Sequence, residues 1–192
     1  IKLTPLKRKF EDGRVSYSHV DVEIDRARSV ATITVRAPAE PTPASVEAAH
    51  QLGDKFWPLA MARELEDAIF HLRANEAAIG VVLLRTEGNP LEVLDYDAFL
   101  SQYDSDWLMR EIRHYLKRTL KRIDVTPKTF FALIEPGSCF AGTLGELAFA
   151  ADRSFMLIGT REGDNRPPAA ITLGHVNFGL YPMGNGLTRL QT

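Results

Sequence analysis

The chain has 192 residues, 45% of them hydrophobic and 25% charged, with a formal net charge of −2 and one cysteine. That length and balance suit one soluble domain with a sizeable core. The near-zero charge excludes a basic field for nucleic acid, and a lone cysteine excludes an internal disulfide, which points to a reducing, cytoplasmic setting. No apolar run approaches the roughly 20 residues that cross a bilayer, so no membrane association is expected.

Residues 1–18 read as a polar arm or linker, basic at Lys7, Arg8 and Lys9, and 19–192 as the core domain. Val20, Val22 and Ile24 alternate with polar residues, as do Val30, Ile33 and Val35 with one slip. With Arg26 to Ser29 between them, the two runs predict a β-hairpin. Pro38, Pro41 and Pro43 form a stiff loop, followed by a weakly helical Ala44 to Leu52. Pro58 then stands where a first helical turn tolerates it. Beyond it Ala62, Leu65, Ala68, Ile69 and Leu72 draw an apolar helical stripe, and Phe56 to Pro58 reads as core aromatic packing. Val81 to Leu84 is a continuous apolar run suited to a strand covered on both faces. Strand, helix, strand in this order predicts a crossover and a parallel sheet.

Thr86 to Asp95 reads as a loop. From Ser105 a long helix runs to Arg122, with Ser105 or Asp104 as its N-cap. Its basic end (Lys117, Arg118, Lys121, Arg122) reads as a solvated face compatible with the helix dipole. The last strands are Phe130 to Ile134 and then Phe155 to Ile158, another buried strand, and Ile171 to Leu173 leads into the closing segment. The sequence holds no zinc, calcium-loop or dinucleotide-binding spacing, so no metal and no bound cofactor are expected.

The chain's chemistry concentrates at Phe130 to Asp152. An apolar β-rich run breaks at Pro136-Gly137, breaks again at Ala141-Gly142, and gives way to a helix over Thr143 to Ala151. A strand feeding a glycine break and a helix leaves free backbone N–H groups at the helix start, suited to developing negative charge. Glu146 lies four residues past Gly142 and three past Thr143, on the same helix face. A carboxylate beside oxygen-binding amides is an arrangement for acid–base work. Cys139, just before the helix, reads as a small buried residue.

GSCFAGTLGELAFAAD resembles the stretch of the crotonase (enoyl-CoA hydratase/isomerase) superfamily in which a glycine turn opens a helix, a backbone N–H binds the thioester oxygen, and a glutamate one turn on moves protons. His175 to Leu190 resembles that superfamily's second signature. The resemblance implies an α/β fold of the ClpP/crotonase type, a ββα spiral with stacked, mostly parallel sheets, here ending before the C-terminal helices. It also implies Gly142 and Thr143 as oxyanion and substrate-binding residues, and Glu146 as catalytic. Counting back from Gly179 and Pro182, His175 takes the place of the hydratases' second glutamate. The loop LEVLDYDAF departs from the pattern: bulky residues stand where relatives carry the small-residue turn that supplies the other oxyanion donor.

The longer runs FWPLAMARELEDAI, TFFALIEPGSCFAGT, ELAFAADR and VNFGLYPM are similar to the carboxyl-terminal half of a lyase family built from two crotonase-like halves. That narrower resemblance implies an acyl-CoA substrate, 2,3-epoxy-2,3-dihydrobenzoyl-CoA, whose ring is opened with water addition and formate release. Coenzyme A then enters as part of the substrate, and this domain supports, covers or dimerises with the other half. It implies a homo-oligomer, or packing on a second crotonase-like half, and a chain that is a piece of something longer. An enoyl-CoA hydratase/isomerase using Glu146 and His175, and a catalytically silent assembly domain, remain the alternatives.

Overall fold

The computed structural model describes residues 1–159 and 161–192. Strands β1 (Lys9–Glu11), β2 (Arg14–Ser16), β3 (Val20–Asp25) and β4 (Val30–Arg36) form an antiparallel meander. The stretch read as a polar arm therefore divides: residues 9–16 supply two outer strands of the sheet. Val20, Val22 and Ile24 face the core opposite Val35, Ile33 and Ala31. The slip in the second run disappears once Ala31, rather than Val30, is counted on the buried face.

After β4 the chain crosses through α1 (Val46–Leu52) and α2 (Trp57–Asn75) to β5 (Val81–Glu87), which pairs parallel with β4. Pro58 sits in the first turn of α2, where its missing N–H costs nothing. β5 buries Val82 and Leu84 but leaves Val81 and Leu83 partly exposed, so its apolar run is covered on one face rather than two. β6 (Thr129–Ile134) pairs parallel with β5, and β8 (Arg153–Met156) with β6. The seven-stranded sheet runs β1-β2-β3-β4-β5-β6-β8. A separate parallel pair joins β7 (Phe140–Ala141) to β9 (Ile171–Thr172). The architecture is the expected mixed α/β one with a mostly parallel sheet.

Three expectations need correction. Residues 86–95 are not all loop: α3 spans Pro90–Gln102, started by Asn89, whose side chain accepts the Leu91 N–H, and by Pro90 in the first turn. α4 (Trp107–Asp124) is capped by Asp106, which accepts the Leu108 and Met109 amides, one residue past Ser105 and two past Asp104. The strand expected at Phe155 to Ile158 begins two residues earlier, as β8, and is exposed throughout, with Ile158 beyond it 97% exposed, because β8 lies on the sheet edge.

The basic end of α4 is also less solvated than its sequence suggests. Arg118 and Arg122 both turn onto Glu66 of α2, and Arg122 lies over the Phe70 ring. Phe56 is fully buried, with its ring 5.6 Å from Tyr96 and 5.8 Å from Phe99 of α3. Trp57 adds an edge contact to Tyr96 at 5.3 Å. This aromatic cluster is the core packing expected of Phe56 to Pro58, and it pins α3 against the domain.

Candidate functional site

β6 ends at a turn where Gly137 takes φ +85°, and the chain re-enters the interior through β7 to start α5 (Gly142–Ala150). The residue before α5 is Ala141, which has no side chain to cap the first amides. The cap comes from another helix. Asp97 of α3 accepts the Thr143 N–H at 2.8 Å through Oδ2, and Thr143 Oγ1 donates to its Oδ1.

Gly142 has φ +44°, and a Cβ built there would collide with Asp97 Oδ2 and stand 3.1 Å from Leu94. Glycine is therefore required at 142 both for its backbone angle and for the approach of the Asp97 carboxyl. Leu94 also packs against Gly174, where a Cβ would come within 2.9 Å of it. Side chains of the segment expected to lack a close-approach turn thus lie directly on the start of α5.

The Asp97 carboxyl is 2% exposed and is held by hydrogen bonds to Thr143. Burial pushes its pKa up to about 7, against the pull of the two Thr143 hydrogen bonds, with nearby Glu146 adding to the rise. Tyr181 OH lies 3.0 Å from Thr143 Oγ1, and its own burial raises the phenol far above its ordinary range.

Glu146, one turn along α5, is 1% exposed. Its Oε1 accepts from Asn177 Nδ2 at 2.8 Å, and the same Asn177 amide donates to the Gly142 carbonyl at 2.9 Å. Its Oε2 accepts from Arg189 Nη1 at 2.9 Å. Arg189 also donates to the Tyr181 carbonyl and forms a two-pronged pair with Asp124 at 3.0 and 2.7 Å. Burial pushes Glu146 above the usual carboxylate range, while Asn177 and Arg189 pull it back. Among the described residues no buried side-chain nitrogen or oxygen lacks a hydrogen-bond partner.

The structure brings Gly142, Thr143 and Glu146 together at the start of α5, as their spacing requires. His175 is placed elsewhere. It opens a 3₁₀ turn, His175–Phe178, from which Asn177 points inward to Glu146. His175 itself is exposed, with Nε2 2.6 Å from Ser101 Oγ. Cys139 is fully buried and its thiol is pushed up to about 11 by burial, an inert small residue.

Sequence reasoning missed Asp97, Asn177, Tyr181 and Arg189. Arg189 lies 43 residues from Glu146 along the chain, and Asp97 lies 46 from Thr143. No local spacing signals partners so distant. The one available hint was Asp97 standing between the apolar Tyr96 and the Ala98-Phe99 pair in LEVLDYDAF. Among the described residues no cluster of metal-ligating side chains occurs, and no helix is long and apolar enough to cross a membrane.

No family model matches the chain. Over 191 residues it is 47% identical to benzoyl-CoA-dihydrodiol lyase from Aromatoleum evansii, a match that takes in the whole chain. The chain spans about a third of that relative's length, 34%. Among solved structures, an enoyl-CoA hydratase from Geobacillus kaustophilus superposes with a TM-score of 0.46 at 18% identity, covering 74% of this chain and 47% of the other. An enoyl-CoA hydratase/carnitine racemase from Magnetospirillum magneticum gives 0.49 at 19% identity, covering 74% and 48%.

Proposed function

We propose that this chain is one part of a crotonase-type lyase acting on an aromatic-derived CoA thioester, and that it serves as the supporting part rather than the seat of the chemistry. Kinship supports the first half of the reading: the 47% identity runs the full length of the chain, and the relative is a benzoyl-CoA-dihydrodiol lyase. The substrate is then 2,3-epoxy-2,3-dihydrobenzoyl-CoA, opened with water and releasing formate. The chain packs on a second crotonase-like half or on a further copy, in the cytoplasm.

The observation that carries the supporting role is the Asp97 carboxyl on the Thr143 N–H. A thioester oxygen bound at this helix start would need that donor. Each such donor contributes about 2.7–4 kcal/mol of transition-state stabilisation where it operates. Here it is already hydrogen-bonded to a carboxyl fixed within the fold, and Gly142 is covered by Asp97 and Leu94. Glu146, the acid–base candidate, has both oxygens engaged by Asn177 and Arg189. Such a group is a structural anchor, joining α5 to the chain around Tyr181 and Arg189.

The test is Glu146→Gln in the full-length enzyme, with formate release and thermal stability read together. A supporting role predicts kcat within about threefold of the parent, alongside a lowered Tm, since a neutral amide answers Arg189 less well. A loss of about a hundredfold in kcat at unchanged Tm would place the proton chemistry on Glu146 and overturn the reading.

A further inference from the structure

Away from the start of α5, the end of α3, the first turns of α4 and the 3₁₀ turn enclose a cleft of about 280 Å³. Ser101, Asp104, Arg113, His175, Phe178 and Leu180 line it, together with Gly179. Three features make it unlike an ordinary surface dent. Arg113 is only partly exposed, yet forms no ion pair among the described residues. Its one hydrogen bond, 3.3 Å from Nη2 to the Asp104 carbonyl, leaves most of the guanidinium fork unused. His175 and Ser101 are already joined at 2.6 Å, holding two polar groups in a fixed relation at the same cleft. Phe178, 69% exposed, and Leu180, 37% exposed, give the opening an apolar border.

We propose that this cleft is a phosphoryl-binding subsite, with Arg113 as the charged fork and His175 and Ser101 as its hydrogen-bonding partners. A guanidinium offers paired donors that match the oxygens of a tetrahedral phosphate. The serine hydroxyl hydrogen can turn to a phosphate oxygen, and the imidazole nitrogen not engaged by Ser101 can donate to another. The volume falls just below the range usual for whole small-molecule sites, and fits one phosphoryl group better than an entire nucleotide. The Asp104 carboxyl works against an anion and sets the expected affinity low. Free phosphate and the phosphates of a coenzyme A chain present the same chemistry. The subsite does not depend on where catalysis occurs, so its failure would leave the supporting role untouched.

The experiment is a calorimetric titration of the full-length protein with inorganic phosphate, coenzyme A and dephospho-coenzyme A. It is repeated for Arg113→Ala, His175→Ala and Asp104→Asn, all at surface positions where folding can be checked by Tm. The expected result is phosphate binding that weakens at least about tenfold in Arg113→Ala, weakens less in His175→Ala, and tightens in Asp104→Asn. Coenzyme A that competes with phosphate and loses affinity in Arg113→Ala, where dephospho-coenzyme A does not, identifies the 3′-phosphate as the source. Failure of both coenzymes to compete leaves free phosphate as the ligand. Absence of phosphate and coenzyme A binding at millimolar concentration, or binding indifferent to Arg113→Ala, would overturn the proposal.

Discussion

Two buried carboxyl groups meet at the start of α5, Glu146 from that helix and Asp97 from α3, and the fold treats them in opposite ways. Glu146 receives a guanidinium: Arg189 reaches it at 2.9 Å and is itself shared with Asp124. Asp97 receives only neutral donors, the Thr143 amide and hydroxyl, and faces the Glu146 charge. Both are raised by burial, but only Asp97 is carried to about 7. Removing a charge from water is costly unless a counter-charge replaces the solvent. The fold supplies that counter-charge to the acid that joins distant segments, and withholds it from the acid that closes the helix start.

Breaking the paired side should have the largest effect. Arg189→Ala strands Glu146 and Asp124, and should destabilise the protein by about 3–5 kcal/mol in denaturant unfolding. A loss below about 1 kcal/mol would mean that Glu146 simply takes up a proton at no cost.

Next comes the crowded side. Gly142→Ala places a methyl group against Asp97 Oδ2 at a φ of +44°. A cost of about 2–4 kcal/mol is expected, from strain at φ > 0 together with a displaced hydrogen bond. In the Asp97→Ala background the clash with the carboxyl should vanish, leaving the backbone share and the close contact with Leu94. A double-mutant cycle with no coupling would show that the two residues do not press on each other.

Asp97→Asn sharpens the comparison through pH. The folded-state pKa of Asp97 lies above its unfolded value, so the protonated form is the one favoured by folding. Its contribution is fully present below about pH 4, the unfolded value, and is lost as pH rises toward about 7. Asparagine cannot ionise, so the variant should gain on the parent across that window, by an amount on the order of 2–4 kcal/mol. Stability curves that stay parallel from pH 4 to 8 would show an ordinary carboxylate. The smallest expected effect belongs to His175→Ala: the side chain is exposed and bonded only to Ser101, so stability should change by about 0.5 kcal/mol or less.

Much of the fold was legible because its signals are local. The β3–β4 hairpin shows period-two alternation around a short polar turn, and α2 shows an apolar stripe behind Pro58. The passage from β6 to α5 shows its two glycine breaks. α3 was hidden because its buried face includes Asp97, and a carboxylate at a core position breaks the apolar stripe that announces a helix. β8 was misjudged because an apolar run reads as buried whether or not a layer covers it, and this one lies at the sheet edge.

Of the site, Gly142, Thr143 and Glu146 followed from spacing along one helix. What occupies them did not, because Asp97, Asn177 and Arg189 arrive from segments 31 to 46 residues away. The sequence could place donors and an acid at one helix start; only tertiary packing determines whether that start is open.

The most direct test follows the Thr143 amide proton by NMR as benzoyl-CoA is added to the protein. With Asp97 holding that N–H, its resonance should stay in place at every thioester concentration. A saturable shift of the Thr143 amide on adding the thioester would mean that the donor is free to meet substrate, and would contradict a site closed from within.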